Sequence, residues 1–207
     1  MTKKLLVALL VFVLAFSLVA LAACGSTSIA DIKANGEKDA SYTFEGVVFA
    51  KDSAGFYVNQ DNGSLYVVAD QQVAVGDLVS VKGTLELQGS YKKPVIKATK
   101  VSVKKSGQTP LAPTASTIED VLGVTANRNG FYGYVTVAGF VRVENNSYSL
   151  ALGDNSFQIP FTADSNAYLA EWVDKQVDAT VVVTNFSGTW QITVFATVYH
   201  RTCCFAM

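Results

Sequence analysis

Two stretches of this 207-residue chain carry one pattern, and a repeated pattern constrains architecture more tightly than any single motif. The first copy opens with Phe44-Glu45-Gly46-Val47-Val48, passes through Gly55-Phe56-Tyr57-Val58 to an Asp61-Asn62-Gly63 turn, and continues with Ser64-Leu65-Tyr66-Val67-Val68. It then runs through Val75-Gly76-Asp77-Leu78-Val79-Ser80-Val81-Lys82-Gly83 to a last strand ending near Val103. In the second copy, Val137-Ala138-Gly139-Phe140-Val141 places its glycine 93 positions after Gly46, and Asp154-Asn155 follows Asp61-Asn62 at the same offset. Ser187-Gly188-Thr189-Trp190 stands where Gln88-Gly89-Ser90-Tyr91 stood. One fold is expected twice.

Alternation identifies the elements. Val135, Val137, Val141 and Val143 alternate with mostly polar neighbours, as do Val177, Ala179, Val181 and Val183, so each run is a strand with one face buried. Each copy reads as five short strands, and five strands of this length can close on themselves as an OB-fold barrel. The predicted class is all-β with one or two short helices, built as two tandem OB-fold-like barrels. The glycine-phenylalanine-tyrosine-valine run, the tight acidic turn and the later valine-glycine-aspartate of the first copy resemble the small OB-fold modules of exported bacterial binding proteins. That resemblance implies a ligand that is an oligonucleotide, an oligosaccharide or a protein. The predicted layout is a leader over 1–23, a flexible tether over 24–41, domain 1 over 42–103, a linker over 104–116, domain 2 over 117–202 and a tail over 203–207. A capping box from Ser116 to Glu119 predicts a short helix entering domain 2. Residues 164–173 predict a second, capped by Asp164 or Ser165, with Tyr168, Leu169, Trp172 and Val173 on its packed face. Domain 1 has no counterpart between Ala69 and Val75, which leaves one end of its barrel without a plug.

The leader supplies an address. Lys3 and Lys4 precede an apolar run from Leu5 to Leu21, and Leu21-Ala22-Ala23-Cys24 closes it with small residues before a cysteine. This resembles a bacterial lipobox, which implies a diacylglyceryl group on Cys24, loss of the leader, and a protein held on the outer side of the cell membrane by lipid. The competing reading is a retained membrane span, since the run approaches the ~20 residues that cross a bilayer. Both readings place the rest of the chain outside the cytoplasm. Without Lys3 and Lys4 the chain has 14 basic and 17 acidic side chains, a balance unlike that of a general nucleic-acid coat.

Catalytic and metal chemistry find little to work with. His200 is the single histidine, and it has the parity of the packed positions of the last strand. Cys203 and Cys204 are adjacent, and neighbouring α-carbons ~3.8 Å apart are too close for an ordinary disulfide. With His200 they make at most a partial zinc set. Asp61, Asp154 and Glu45 are not forced together by spacing. No enzyme activity, metal or cofactor is predicted, and Asn62, Asn145 and Asn185, each in Asn-X-Ser form, read as turn residues.

The candidate binding residues fall on two surfaces. If Phe56, Val58, Leu65 and Val67 point inward, Tyr57, Asn59 and Tyr66 share the outer face of strands two and three. The loop between strands four and five carries Tyr91, Lys92 and Lys93 within a run that also holds Lys82, Lys97, Lys100, Lys104 and Lys105, with Glu86 its only acid. Aromatic rings beside lysines can stack bases and neutralise phosphates, which predicts weak single-stranded nucleic-acid binding. The plainer role for such lysines is to keep a strand edge from pairing with another chain. The matching loop of the second copy carries Phe186 and Trp190 with no basic cluster, a surface suited to a glycan or an envelope protein. The sequence thus predicts a membrane-anchored binding or adaptor protein, or else an accessory subunit that positions substrate for an envelope enzyme or transporter.

Overall fold

The computed structural model describes residues 26–61, 63–124, 127–186 and 188–200. The leader, Cys24, Cys203 and Cys204 lie outside the described residues. The first copy folds as β1 (Ser41–Lys51), β2 (Gly55–Gln60), β3 (Gly63–Val68), β4 (Leu78–Gln88) and β5 (Lys93–Lys105). These close as β1-β2-β3-β5-β4, the OB order, with β3 and β5 meeting in parallel through Tyr66↔Val95, Val67↔Ile96 and Val68↔Lys97. The second copy folds as β7 (Tyr134–Glu144), β8 (Ser147–Ala151), β9 (Gln158–Pro160), β10 (Gln176–Phe186) and β11 (Thr189–His200). Its order, β11-β10-β7-β8-β9, is the same. A single parallel bridge, Phe161↔Ile192, joins its ends, reinforced by the Thr162 amide donating to the Ile192 carbonyl at 2.9 Å.

The repeated glycine has one task in both copies. β1 pairs with β4 up to Val47 and with β2 from Val47 onward; β7 pairs with β10 up to Phe140 and with β8 from Phe140 onward. Gly46 and Gly139 each sit one residue before that exchange of partners. A Cβ on Gly46 would come 3.0 Å from the Asn59 carbonyl oxygen, and one on Gly139 would come 2.8 Å from Leu150 Cγ. The first strand can bend across its partner only where no side chain intervenes.

Several local expectations are corrected. Residues 24–41, read as a flexible tether, contain helix α1 (Ile29–Asn35), capped by the Ser28 hydroxyl accepting from the Asp31 amide. Ile29 and Ile32 are fully buried against the first barrel, close to Gly63 and the β2–β3 turn. The plug that domain 1 lacks between β3 and β4 therefore arrives from upstream of β1. The linker is shorter than 104–116, because Lys104 and Lys105 extend β5, and Thr114–Ser116 form β6, pairing in parallel with Val135–Val137 of β7. Ser116 is thus engaged in a strand, and the capping box moves to Thr117 and Asp120 at the head of α2 (Ile118–Leu122).

The helical stretch between β9 and β10 exists as predicted, but as short turns around α3 (Asn166–Leu169). Leu169 is its buried anchor, while Tyr168 is 46% exposed and Trp172 is half-buried beneath the Lys175 ammonium, 5.4 Å from its ring centre. Neither Asp164 nor Ser165 caps it. Ser165 is fully buried and its hydroxyl accepts from the Val194 amide at 3.0 Å, tying the turn to β11. No helix among the described residues is long and apolar enough to cross a membrane.

Candidate functional site

The inward set is as the alternation predicts: Phe56, Val58, Leu65 and Val67 are at most 1% exposed. Tyr57 and Tyr66 stand together on the opposite face, their ring centres 4.6 Å apart. That face is not open to solvent. The segment leading into β7, Phe131-Tyr132-Gly133, and the first residue of β7, Tyr134, lie over it: the Tyr132 ring is 5.7 Å from Tyr57 and 6.4 Å from Tyr66, and Tyr134 is 4.9 Å from Phe49. Tyr57 is 7% exposed and Tyr132 only 2%. The aromatic platform read from β2 and β3 is the joint between the two barrels. Asn59 is also committed, its amide donating to the Gly63 carbonyl at 3.0 Å and closing the β2–β3 turn.

Polar locks surround the rings. The Tyr132 hydroxyl donates to the Pro94 carbonyl at 2.8 Å, crossing from one barrel to the other. Lys33 of α1 donates to the Phe131 carbonyl at 2.8 Å, and burial pulls its ammonium down to about 8. Arg128 donates to the Ile32 and Gly36 carbonyls at 3.0 and 2.8 Å, satisfying the C-terminal end of α1 from the second half of the chain.

The two predicted loop surfaces meet at the same seam. Tyr91 is half-buried, and its hydroxyl is 3.5 Å from where a Cβ on Gly188 would stand, so the β4–β5 and β10–β11 turns abut. Trp190 is buried, donates from its ring nitrogen to the Val124 carbonyl at 3.0 Å, and packs 5.5 Å from Phe131. It is an anchor of the second barrel. Phe186 pairs through its backbone with Thr189 at that turn. Lys92 is exposed with a left-handed backbone, φ 53°, and Lys93 is partly buried, which lowers its ammonium below the ordinary lysine range. The remaining lysines stand on β4 and β5. Lys82 is opposite Lys100, and Lys97 pairs with Glu86 at 2.7 Å.

Beside the rings the seam opens into a cleft of about 250 Å³, where Asp52, Lys93, Asp164, Asn185, Gln191 and Thr193 converge around Tyr57, Tyr66 and Tyr132. Asp52 holds the β1–β2 turn: its Oδ1 accepts from the Ala54 and Gly55 amides and from the Tyr66 hydroxyl, at 2.9, 2.8 and 2.9 Å. Burial, then Asp52 and Asp164, push the Tyr57 and Tyr66 hydroxyls far above the ordinary tyrosine range. Tyr132 rises too, through burial and its two tyrosine neighbours. These groups stay protonated, as donors and apolar ring surface. Asp61 and Asp154, weighed as acids, sit in turns instead; Asp154 accepts from the Ser156 amide and hydroxyl. Among the described residues no three His, Cys, Asp or Glu side chains gather as a metal set.

Sequence reading did not single out Asp52, Tyr132, Asp164, Asn185 or Thr193 as site residues. One signal was present, since three aromatics within Phe131-Tyr132-Gly133-Tyr134 are more than a strand entry needs. No protein-family model matches the chain, and no curated protein matches it. Among solved structures, it is similar to a murine DNA binding protein bound with double-stranded DNA, at 9% identity over 77% of this chain and 99% of that one, with a TM-score of 0.41. Tetrameric p202 HIN2 aligns at 12% identity over 80% and 98%, with a TM-score of 0.40. A multidomain protein with nucleic acid binding domains from Streptococcus pneumoniae aligns at 15% over 75% of this chain and 45% of its own, with a TM-score of 0.23.

Proposed function

We propose that this chain is a lipid-anchored binding or adaptor protein that works outside the cytoplasm and carries out no covalent chemistry of its own. The observation that supports this reading best is the use made of the aromatic face. An isolated OB barrel keeps that face for ligand, whereas here Tyr57 and Tyr66 are spent on fastening the barrels together. The result is one body with a polar cleft at its seam, a form suited to holding a partner at a set distance from a membrane. The side chains of that cleft are hydrogen-bonding groups, with no His, Ser or Cys nucleophile beside a base.

The anchor rests on the lipobox resemblance at Leu21-Ala22-Ala23-Cys24. A diacylglyceryl group supplies the two chains that stable attachment requires. Cys24→Ala is expected to abolish lipid attachment and to leave a full-length precursor or a released protein, which mass spectrometry of the N-terminal peptide detects. A wild-type protein with an intact leader and unmodified Cys24 overturns the anchor. A second reading, an accessory subunit with weak single-stranded nucleic-acid binding through domain 1, is favoured by exposed Lys82 and Lys100 standing opposite each other on β4 and β5. The oligothymidylate arm of the titration described next tests it.

A further inference from the structure

Asn185 combines two properties seldom found together. It is 8% exposed, and its Nδ2 has no hydrogen-bond partner, while its Oδ1 accepts from the Gly188 amide at 3.1 Å. Leaving a buried amide donor unsatisfied is costly, and native structures rarely tolerate it without a reason. Asn185 lines the 250 Å³ cleft and also the neighbouring cavity of about 290 Å³ beneath the β4–β5 turn. Lys93 lines both as well, and among the described residues its ammonium has no ion pair or hydrogen bond. Two uncommitted donors thus share the wall between two cavities.

The same cleft is lined by acceptors. Asp164 has no hydrogen bond to its carboxylate among the described residues, and Asp52 also lines the cleft, its Oδ1 accepting from the Tyr66 hydroxyl. The tyrosine rings give the cavity apolar surface. A nucleic-acid strand is disfavoured, because its unbroken run of phosphates would approach two carboxylates. An aliphatic ligand is disfavoured too, because it would leave Asn185 unpaired. What remains is a small ligand that accepts from Asn185 and Lys93, donates to Asp164 and presents C–H faces to tyrosine.

We propose that the seam between the barrels is a saccharide-binding site in which Asn185, Lys93 and Asp164 hydrogen-bond the hydroxyl, acetamido or carboxylate groups of a sugar unit. The cavities of about 250 and 290 Å³ fall just below the roughly 300–1,000 Å³ range of small-molecule sites, a size that agrees with one or two sugar units. This proposal rests on the binding-protein reading and adds its ligand class and location.

The test is calorimetric titration of the full chain, purified in a sugar-free detergent, with chitotriose, maltotriose, trigalacturonate and a short oligothymidylate. At least one trisaccharide is expected to bind. Asn185→Leu and Asp164→Asn are each expected to weaken it about tenfold, as the loss of one hydrogen bond implies. Asp164 is exposed, so Asp164→Asn keeps the test valid should Asn185→Leu fail to fold. Because chitotriose offers acetamido groups, maltotriose hydroxyls alone and trigalacturonate carboxylates, the trisaccharide that binds shows which of these groups the site takes. Failure of all three sugars overturns the saccharide site. A sugar that binds with undiminished affinity to both variants overturns its location while leaving the binding-protein reading intact. Oligothymidylate binding alone, falling steeply with salt, overturns the proposal in favour of the nucleic-acid reading.

Discussion

Single residues decide what the seam can do, and the alternation of the sequence reveals half of their placement. The period of two sorts Phe56, Val58, Leu65 and Val67 from Tyr57 and Tyr66 because neighbouring side chains on a strand point to opposite faces. It says nothing of what lies against the second face, which depends on Tyr132, more than sixty positions away in the chain. Lys33 shows the same limit: a lysine in a polar stretch reads as a solvated charge, yet it is 7% exposed because Phe131 and Asn129 offer it carbonyls. A measurable consequence follows from its acidity. Lys33 titrates near 8 in the folded protein and near 10.4 when unfolded. Between those values the unfolded chain holds a proton that the folded chain has released, so stability rises with pH, by at most about 1.4 kcal/mol per pH unit from this group. Above pH ~10 the sign reverses, because Tyr57, Tyr66 and Tyr132 hold their protons longer in the folded state than unfolded. Denaturant melts between pH 7.5 and 10 are expected to show the rise in the wild type and a flatter curve for Lys33→Met, with a residual slope from Lys93. Equal slopes in both proteins would show that Lys33 is charged throughout.

Among elements, strands, turns and the two short helices of the second copy were legible and helix α1 was not, for a common reason. A five-strand unit repeats its signals across many residues, and the shared offset of Gly46 and Gly139 marks the same bend twice. Helix α1 has seven residues and one apolar pair at i, i+3, Ile29 and Ile32, too little periodicity to distinguish from a polar tether. Its stability is tertiary, since a helix this short does not persist alone in water. Ile29 and Ile32 are both fully buried, so Ile29→Ala or Ile32→Ala is expected to cost about 2–5 kcal/mol. Thermal unfolding measures this. A loss below about 1 kcal/mol in both variants would mean that α1 does not plug the barrel. Trp172 is the contrasting case. The sequence places it on the packed face of its helix, but the short turns around α3 leave it half-buried against Lys175, and its truncation should cost less than either isoleucine.

At the scale of the whole molecule, the repeat suggests two independent domains and the packing argues for one cooperative body. The proline-containing stretch between β5 and β6, residues 106–113, is irregular and mostly exposed. It lies outside the strand ladders, and among the described residues the Gln108 amide donating to the Gly76 carbonyl at 2.8 Å ties it to the first barrel. A protease should therefore cut there first. The halves should not part, because separation exposes Phe49, Tyr57, Phe131 and Tyr132 and breaks the buried contacts of Tyr132 with Pro94 and of Lys33 with Phe131. Burying a large apolar side chain contributes roughly 1.5–3 kcal/mol, and a buried carbonyl deprived of its donor costs on the order of 1–3 kcal/mol. Four rings and two such carbonyls outweigh the modest loss of tethering when a short loop is cut. The nicked protein is expected to elute from gel filtration as one species and to unfold in a single transition. Tyr132→Ala, which removes the central ring and its hydrogen bond together, is expected to let the nicked halves separate or unfold at distinct temperatures. Two transitions in the nicked wild type, at the temperatures of the separately expressed halves, would show instead that the seam is a loose contact between autonomous barrels, and the cleft would then lack the fixed geometry that a saccharide site requires.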